Sequence, residues 1–406
     1  MFIKVNELIK KGTCIEVKFQ QEGLDNYVNT SSSVFWEYGV DVTNVPDSIA
    51  IIPFVSDFLP IAFILDAEII VDELDQDFYD CIADYRKGYK KMAPVLDFKG
   101  KVTAGKLVKN DYKVDRDCVL FSGGIDATCT LVNNDEAVSD CVTVWGADVK
   151  SYNEEGWNVL SKSLEDAVKK FGKNWYIVRS NFREIFDEKK LEKCIAATGD
   201  GWWHGAQHGV ALLGCSAPLA YLFGYKTVHI ASSFTADCRP VCASDPYTDN
   251  CFRVGNTKAH HDGFEYDRCQ KVQIIAKAVE AKNITLNLHV CWKDSSGSNC
   301  GVCEKCIRSY LDCRAVGVDP SRLGMVCNLP MKEVKSLYWH DYDYTKANVK
   351  DRITMLKRNM DKTFGDNYPE DLKWIKNFKP DFVKVTPYWI AKRAYRKSEV
   401  LLRKAN

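Results

Sequence analysis

Short apolar runs alternate with amphipathic stretches from residue 116 to about residue 320. The runs CVLF, CVTVWGA, WYIV, KTVHIAS and ITLNLHV have the length of buried strands. Apolar residues recur at helical spacing between them, at 125–133, 155–171, 203–223 and 265–281. This alternation predicts an α/β fold, with a parallel sheet covered by helices on both faces and ligands bound at the carboxyl ends of its strands.

The N-terminal flank, residues 1–115, has a different pattern. It contains strand-like runs such as SIAIIPFV and PIAFIL, and the stretch Ser56–Asp84 has nine acidic residues and no basic one. We expect an α+β accessory domain whose acidic stretch is a solvated helix face after a strand, with a metal or partner site as the alternative. The Lys-rich segment DFKGKVTAGKLVKNDYKVDRD that follows is typical of a linker.

The C-terminal flank, residues 331–406, predicts a helical extension rich in aromatic residues. Its last segment, Val383–Asn406, carries seven Lys or Arg and one Glu. We interpret this segment as a docked terminal helix with a solvated basic face. Contact with RNA, an acidic partner or a membrane surface is the alternative.

Composition narrows the class of protein. A chain of 406 residues predicts two or three units, and a formal net charge of zero gives no global case for binding nucleic acid or membrane. No apolar segment reaches the roughly 20 residues that span a bilayer, and the N-terminus MFIKVNELIKKGTCIEV lacks the core of a signal peptide. Seventeen cysteines without a secretion signal favour a reducing compartment, so we expect a cytoplasmic protein.

The stretch VLFSGGIDATCTLV carries the first candidate site. Between a strand and a helix, Ser122, Gly123 and Gly124 predict a turn whose N–H groups, with the helix N-terminus, bind an anion. Asp126 suits such a site when a divalent metal offsets its charge. A tight turn with an N-cap and no ligand is the simpler alternative. The spacing differs from the P-loop and from the dinucleotide-binding glycine pattern.

The same stretch resembles the Ser-Gly-Gly-x-Asp-Ser-Ser/Thr loop of the PP-loop ATP pyrophosphatases. In that family the loop holds the pyrophosphate end of ATP while a substrate oxygen attacks the α-phosphate. The resemblance departs at Ala127, where the family usually has Ser, so one hydroxyl contact to phosphate is missing. It implies an ATP and Mg²⁺ site in which Ser122 and Asp126 are also catalytic. The implied ATP-binding residues are Phe121, Ser122, Gly123, Gly124, Asp126, Ala127 and Thr128.

Four cysteines form the second candidate site. Cys291, Cys300, Cys303 and Cys306 follow the pattern C-x8-C-x2-C-x2-C. Four thiolates at this spacing can reach one tetrahedral Zn²⁺ in a closed, structural site. A redox dithiol and an iron–sulfur cluster are the alternatives.

The two motifs together resemble the 7-cyano-7-deazaguanine synthase (QueC) family, whose zinc knuckle has the same cysteine spacing. Arg308 lies close to the last cysteine, and Asp237–Pro240 matches an Asp-Cys-Arg-Pro segment of that family. The resemblance covers residues 116–320 and neither flank. It implies a cytoplasmic ligase that adenylates a carboxylate such as 7-carboxy-7-deazaguanine with ATP and then forms an amide or nitrile with ammonia. Arg308 and Arg239 would stabilise charge on the phosphates.

Several other residues are candidates for substrate binding. His204 opens a long apolar helix. His261 and Asp262 lie in a polar stretch that we place before a helix and facing the strand ends, and with Asp237 they form the substrate-binding prediction. Each has a structural alternative as a packing residue. A metal pair of His204 and His208 lacks an evident third ligand.

Two further functions stay open. One is a QueC-like enzyme, as in some antiphage operons, that attaches a deazaguanine or another adenylated acid to a protein or nucleic acid partner, with the acidic N-terminal domain docking a protein. The other is a nucleotide-binding sensor or scaffold in which Ala127 marks weakened catalysis. A thiolation enzyme would need a catalytic cysteine outside the zinc site, and no motif singles one out. A homodimer is a further expectation.

Overall fold

The computed structural model describes residues 1–28, 33–291, 293, 296–344, 347–392 and 394. The chain forms two compact units. Unit 1 comprises Met1–Ser233, Val241–Glu265 and Asp294–Ser298, and unit 2 comprises Phe234–Pro240, Tyr266–Lys293 and Asn299–Asn406. In the described part of the chain, every named strand belongs to unit 1, and unit 2 is helical.

Unit 1 is built on an eleven-stranded sheet. Its strands are β1 (Phe2–Lys11), β2 (Cys14–Glu22), β3 (Val34–Glu37), β4 (Glu68–Asp75), β5 (Lys101–Val108), β6 (Arg116–Leu120), β7 (Val138–Trp145), β8 (Asn174–Ser180), β9 (Tyr225–Ala231), β10 (Arg253–Val254) and β11 (Thr257–Asp262). Their order across the sheet is β10-β11-β9-β6-β7-β8-β3-β2-β1-β4-β5.

The helices of unit 1 connect these strands. They are α1 (Asp47–Ala50), α2 (Ile52–Leu65), α3 (Gln76–Met92), α4 (Ile125–Asn133), α5 (Glu154–Lys170), α6 (Glu188–Cys194), α7 (His208–Phe223) and α8 (Pro246–Asp249). A π-helical turn, Trp203–Gln207, leads into α7. The helices of unit 2 are α9 (Arg268–Ala281), α10 (Glu304–Ala315), α11 (Met331–His340), α12 (Ala347–Phe364), α13 (Lys373–Asn377) and α14 (Pro380–Val383).

The centre of the sheet is parallel, as the sequence predicts. Strands β8, β7, β6, β9 and β11 are parallel neighbours in that order. The chain moves outward from β6 through β7 to β8, then crosses over to place β9 on the other side of β6. Connections therefore leave β6 and β9 in opposite directions, and such a switch point opens a crevice at the carboxyl ends of the two strands.

Burial shows that both faces of this central region are covered. Successive residues of a strand point to opposite faces of the sheet. In β6 Cys118 and Val119 are both fully buried, and so are Cys141 and Val142 in β7. Helices α4 and α7 contact both β6 and β9. The predicted α/β architecture is confirmed at this level.

The N-terminal residues extend the same sheet. β3 pairs antiparallel with β8, with Trp36 opposite Ser180, and β2, β1, β4 and β5 follow to the far edge. Residues 1–115 therefore contribute strands to a continuous sheet. That they fold as a separate accessory domain stays a prediction.

Two apolar runs that were expected to be strands are helices. SIAIIPFV and PIAFIL lie in α1 and α2, and every residue from Ile52 to Phe63 is buried. A helix buried on all sides has no polar face, so periodicity cannot separate it from a buried strand. The acidic residues of Ser56–Asp84 were expected to be exposed to solvent, and this prediction is wrong for two of them. Asp57 is buried within α2, and the buried Asp75 accepts a hydrogen bond from Phe78 N–H as the N-cap of α3.

The expected linker contains β5. This strand pairs in parallel with β4, with Val102 beside Ile69. Lys101 and Lys106 form ion pairs with carboxylates of β4 at 3.0 and 2.8 Å. Lysines and a glycine are typical of an edge strand, which buries little and so has a weak apolar pattern.

The strand predicted at ITLNLHV is also wrong. Leu286, Leu288 and Val290 are buried in alternation, but the segment forms no strand; Leu286 N–H donates to Arg322 O at 2.9 Å instead. Alternation of buried and exposed side chains indicates an extended backbone with one buried face, but it does not show that the segment pairs with a strand. The outermost parallel strand is instead β11, which lies in a polar stretch that was not among the predicted strands.

Aromatic side chains form the core of the C-terminal part of unit 2. Phe378 contacts the rings of Tyr338, Trp339, Tyr344 and Trp374. Residues 387–392 are helical, and Trp389 is buried with its Nε1 donating to Trp339 O at 2.8 Å. This part of the tail is docked, as interpreted from the sequence. Residue 393 and residues 395–406, with most of the tail's basic residues, lie outside the described part of the chain.

Candidate functional site

The segment between β6 and α4 forms a tight turn at the switch point. Phe121 N–H donates to Val142 O at 2.8 Å, and the Thr143 hydroxyl donates to Phe121 O at 2.6 Å. The chain then turns at Gly123, whose φ of +72° lies in the left-handed region. A Cβ at this position would lie 2.4 Å from Leu164 Cδ2. Both the backbone conformation and the available space therefore require glycine.

The first turn of α4 has the features of an anion-binding turn. Gly124 is its N-cap and no side chain caps the helix, so its leading N–H groups point to where a ligand can bind. Ser122 is exposed and Asp126 is partly exposed. Thr128 is fully buried and its hydroxyl has no hydrogen-bond partner. A buried polar group without a partner calls for an explanation, and a bound ligand is one.

A cavity of about 940 Å³ lies beyond the carboxyl ends of β7 and β8. Lys150 and Tyr152, which follow β7, and Arg183, which follows β8, line it together with the N-terminal Tyr27. Arg183 is held in place by Glu188, with N–O distances of 2.7 and 2.8 Å. A cavity of this size fits a small organic ligand.

His204 lies in the π-helical turn and pairs with a carboxylate that sequence reasoning did not identify. Its Nδ1 is 2.6 Å from Asp200 Oδ2. Burial lowers the pKa of His204, but hydrogen bonds to Asp200 and to the Cys242 thiol outweigh burial and raise the pKa to about 10. The imidazole is therefore protonated at neutral pH. The i, i+4 spacing of Asp200 and His204 was the available signal for this pair.

His261 and Asp262 lie at the end of β11. The His261 side chain is fully buried, and its Nδ1 is 2.7 Å from Asp249 Oδ2. Asp262 accepts a hydrogen bond from Asn134 Nδ2 at 2.8 Å and lies 3.4 Å from Nδ1 of His229. Both side chains thus have protein partners, and their predicted contact with substrate stays a prediction.

The four cysteines converge in unit 2. Their sulfur atoms all lie within 4.8 Å of one another. Sγ of Cys291 is 3.9 Å from that of Cys303, and Sγ of Cys300 is 4.0 Å from that of Cys306. A tetrahedral Zn²⁺ with Zn–S bonds of about 2.3 Å separates its ligands by about 3.8 Å, so the observed spacing fits zinc. In the described part of the chain this is the sole group of three or more such ligands within reach of a shared ion.

Local structure supports the cluster. Asn299 Oδ1 accepts hydrogen bonds from Val290 and Cys291 N–H, and its Nδ2 donates to Leu288 O and Gly324 O. Cys303 is the N-cap of α10, which places Cys306 in the first turn. The sequence predicted the ligands, but it did not indicate the role of Asn299 in holding their loop.

Arg308, Asp237 and Arg239 also belong to unit 2. Arg308 is half-buried in α10 with its guanidinium 3.6 Å from the Glu304 carboxylate, to which Arg352 binds at 2.8 Å. Burial lowers the pKa of Arg308. Asp237 is among the carboxylates that raise the pKa of Arg358, after Asp267. The predicted roles of Arg308, Arg239 and Asp237 stay predictions.

Neither a scan against models of known protein families nor a search of curated proteins finds a match to this chain. The described helices include none with both the length and the hydrophobicity to cross a membrane.

Proposed function

We propose that this chain is an ATP-dependent, AMP-forming ligase of the PP-loop type, similar to the QueC family. It would adenylate a carboxylate such as 7-carboxy-7-deazaguanine, release pyrophosphate, and join the acyl group to ammonia as an amide. A second ATP would activate the amide oxygen for its dehydration to the nitrile. The observation that carries the proposal is the turn at Ser122–Gly124. It lies at the switch point of a parallel sheet and leads into an uncapped helix beside a buried, unpartnered hydroxyl.

The residues of the turn suit the pyrophosphate end of ATP. Backbone N–H groups at the start of α4 and the exposed Ser122 hydroxyl can donate to phosphate oxygens. Asp126 would hold Mg²⁺, which neutralises phosphate charge when bound. A carboxylate oxygen of the substrate then attacks the α-phosphorus as the bond to pyrophosphate breaks. The acyl adenylate that results has a good leaving group, so an amine can attack its carbonyl carbon.

The cysteine cluster suits a structural Zn²⁺. All four ligand positions of a tetrahedral ion would be filled by Cys291, Cys300, Cys303 and Cys306, which leaves no open position for substrate. Its contribution would be to the stability of unit 2.

The test is ATP consumption with 7-carboxy-7-deazaguanine and ammonia, with AMP, pyrophosphate and base products identified by mass spectrometry. Asp126→Ala should abolish AMP formation and leave zinc bound. The control is Asp166→Ala, at an exposed carboxylate of α5 that pairs with Lys170 at 2.6 Å. It should keep full activity.

The other outcomes discriminate among functions. Equal AMP formation by the Asp126→Ala variant and the wild type would contradict the assigned site. AMP that forms only with a protein or RNA acceptor in place of ammonia would indicate a macromolecule-modifying enzyme. If no AMP forms under any of these conditions, the ligase proposal is wrong and a nucleotide-binding scaffold takes its place.

A further inference from the structure

Arg308 of unit 2 is an enclosed cation whose donors lack acceptors. Its side chain is only 15% exposed. A guanidinium offers five N–H donors, but the buried Nε of Arg308 has no hydrogen-bond partner among the residues that the structure describes. Its ion pair there joins Nη1 to Glu304 Oε1 at 3.6 Å, which is too long for a hydrogen bond. An unsatisfied cation in such a place is costly, so it calls for an explanation.

The carboxylate beside Arg308 already has another partner. Arg352 of α12 donates from Nη1 to the same oxygen, Glu304 Oε1, at 2.8 Å. Two guanidinium groups therefore share one carboxylate oxygen, and Arg308 makes the longer contact. Like charges at this separation repel each other unless an anion lies between them. A water molecule could accept a hydrogen bond from Arg308, but it would not offset the charge.

A third arginine lies on a neighbouring helix. Arg268, the first residue of α9, has its Nε 3.4 Å from Asp312 Oδ2 and donates from Nη2 to Ser309 Oγ at 3.3 Å. Glu304, Arg308 and Asp312 are spaced four residues apart, so they lie on one face of α10. We call Arg268, Arg308 and Arg352 the arginine cluster. Its three positive charges exceed those of the two carboxylates by one.

The helices that carry the arginine cluster are held together by other contacts. α9, α10 and α12 pack against one another in pairs. Asp267, the N-cap of α9, accepts hydrogen bonds from Arg358 and Asn359 of α12 at 2.6 and 3.0 Å. Cys303 and Cys306, at the start of α10, belong to the four-cysteine cluster. The backbone of the arginine cluster is thus in place without a ligand, which lowers the entropic cost of binding one.

We propose that the arginine cluster binds an oxyanion, the carboxylate or phosphate group of a small molecule. The planar fork of a guanidinium matches two oxygens of such a group and binds them through charge-assisted hydrogen bonds. Arg308 and Arg352 bind the oxyanion directly, and Arg268 adds a third positive charge nearby. Access is from the side of Arg352, whose side chain is 30% exposed, against 11% for Arg268. The site does not rest on the proposed ligase activity.

The test observes the Arg308 guanidinium itself. The full-length protein is labelled at its arginine nitrogens, and the Nε–H signal of Arg308 is identified by NMR spectroscopy from its loss in Arg308→Lys. Sodium phosphate and sodium acetate are then titrated separately, with chloride adjusted to keep the ionic strength constant. We expect a saturable shift of the Arg308 signal. Arg314 is the control within α10, because its guanidinium already donates to Tyr310 Oη and Asp371 Oδ1 at 3.1 and 3.0 Å.

The two anions distinguish the sources of the oxyanion. A saturable shift with phosphate supports a phosphate-bearing ligand, and one with acetate supports a carboxylate-bearing ligand. The proposal is overturned if neither anion gives a saturable shift, if chloride alone reproduces it, or if the Arg314 signal shifts equally. These signals do not require AMP formation, so a failed ligase assay leaves the result unchanged, and a failed titration leaves the ligase assay unchanged.

Variants test whether two arginines bind one ligand. Arg352→Gln should weaken binding at Arg308 about tenfold, because charge-assisted hydrogen bonds to the oxyanion are lost. Arg314→Gln should leave the affinity unchanged. The midpoint of urea denaturation shows whether each variant is folded; should Arg352→Gln not fold, Arg352→Lys replaces it, and weaker binding is again expected because lysine lacks the planar fork. Equal affinities of the wild type and a folded Arg352 variant would overturn the shared site.

Discussion

The turn at Gly123 gives the sharpest quantitative prediction, through the substitution Gly123→Ala. Two costs follow from the structure. A left-handed conformation costs an L-residue about 1–2 kcal/mol, and Gly123 has φ +72°. The new Cβ would also lie 2.4 Å from Cδ2 of Leu164, which is 1% exposed and has little room to move. Overpacking of this kind costs about 1–3 kcal/mol.

Gly172→Ala is the matched control. Gly172 has φ +67°, but nothing lies within 4 Å of the position its Cβ would take. We expect Gly123→Ala to lower the free energy of unfolding by about 2–5 kcal/mol and Gly172→Ala by only about 1–2 kcal/mol. Urea denaturation followed by circular dichroism measures both values.

A double-mutant cycle isolates the steric share. In a Leu164→Ala background the clash is absent, so Gly123→Ala should retain only its backbone cost. Equal losses for Gly123→Ala in the two backgrounds would refute the packing argument. A neutral Gly123→Ala would refute the left-handed turn itself, and with it the geometry on which the ATP site rests.

Three further predictions concern unit 2. Elemental analysis should find zinc in the wild type and in Cys313→Ser, at a buried thiol outside the cluster, but not in Cys303→Ser. Burial raises the pKa of Asp312 from 3.8 to about 6, so the folded protein holds this proton over that pH range and loses stability as pH rises through it. Asp312→Asn removes this dependence. Between pH 4 and 6 the free energy of unfolding of the variant should therefore rise by about 2 kcal/mol relative to that of the wild type. A difference that stays constant with pH would contradict the raised pKa. Trp389→Ala should lower the free energy of unfolding, measured by urea denaturation, by about 3–5 kcal/mol, because Trp389 is buried. Ile390→Ala should lower it by less than about 0.5 kcal/mol, because that side chain is 55% exposed. Equal effects would mean that the terminal helix is not docked.

The sequence identified those parts of the site that are local along the chain. Ser122, Gly123 and Gly124 form a turn because their own backbone preferences allow it. Cys300, Cys303 and Cys306 lie close in sequence, and Cys291 is near enough to join them around one ion. In both places the chain needs few distant contacts to bring its functional groups together, so the pattern of residues was sufficient.

Long-range packing decided what the pattern could not. The apolar residues of α2 were compatible with a strand as well as with a helix. In the folded chain they form a helix whose central residues are all buried by their surroundings. β11 was hidden in a polar stretch because its identity as a strand comes from pairing with β9. No spacing rule connects His204 with Ala243, which lie far apart in the chain, yet Ala243 N–H donates to His204 O at 2.8 Å.

The sequence by itself thus determined an α/β chain with a glycine turn after a central strand and a four-cysteine cluster, since both depend on local backbone geometry and short spacing. The tertiary structure alone decided that the turn lies at the switch point between β6 and β9, and that Arg183 and the N-terminal Tyr27 line one cavity. The physical reason is that strand order and contacts between distant segments follow from burial of the whole core, which no short window of residues encodes.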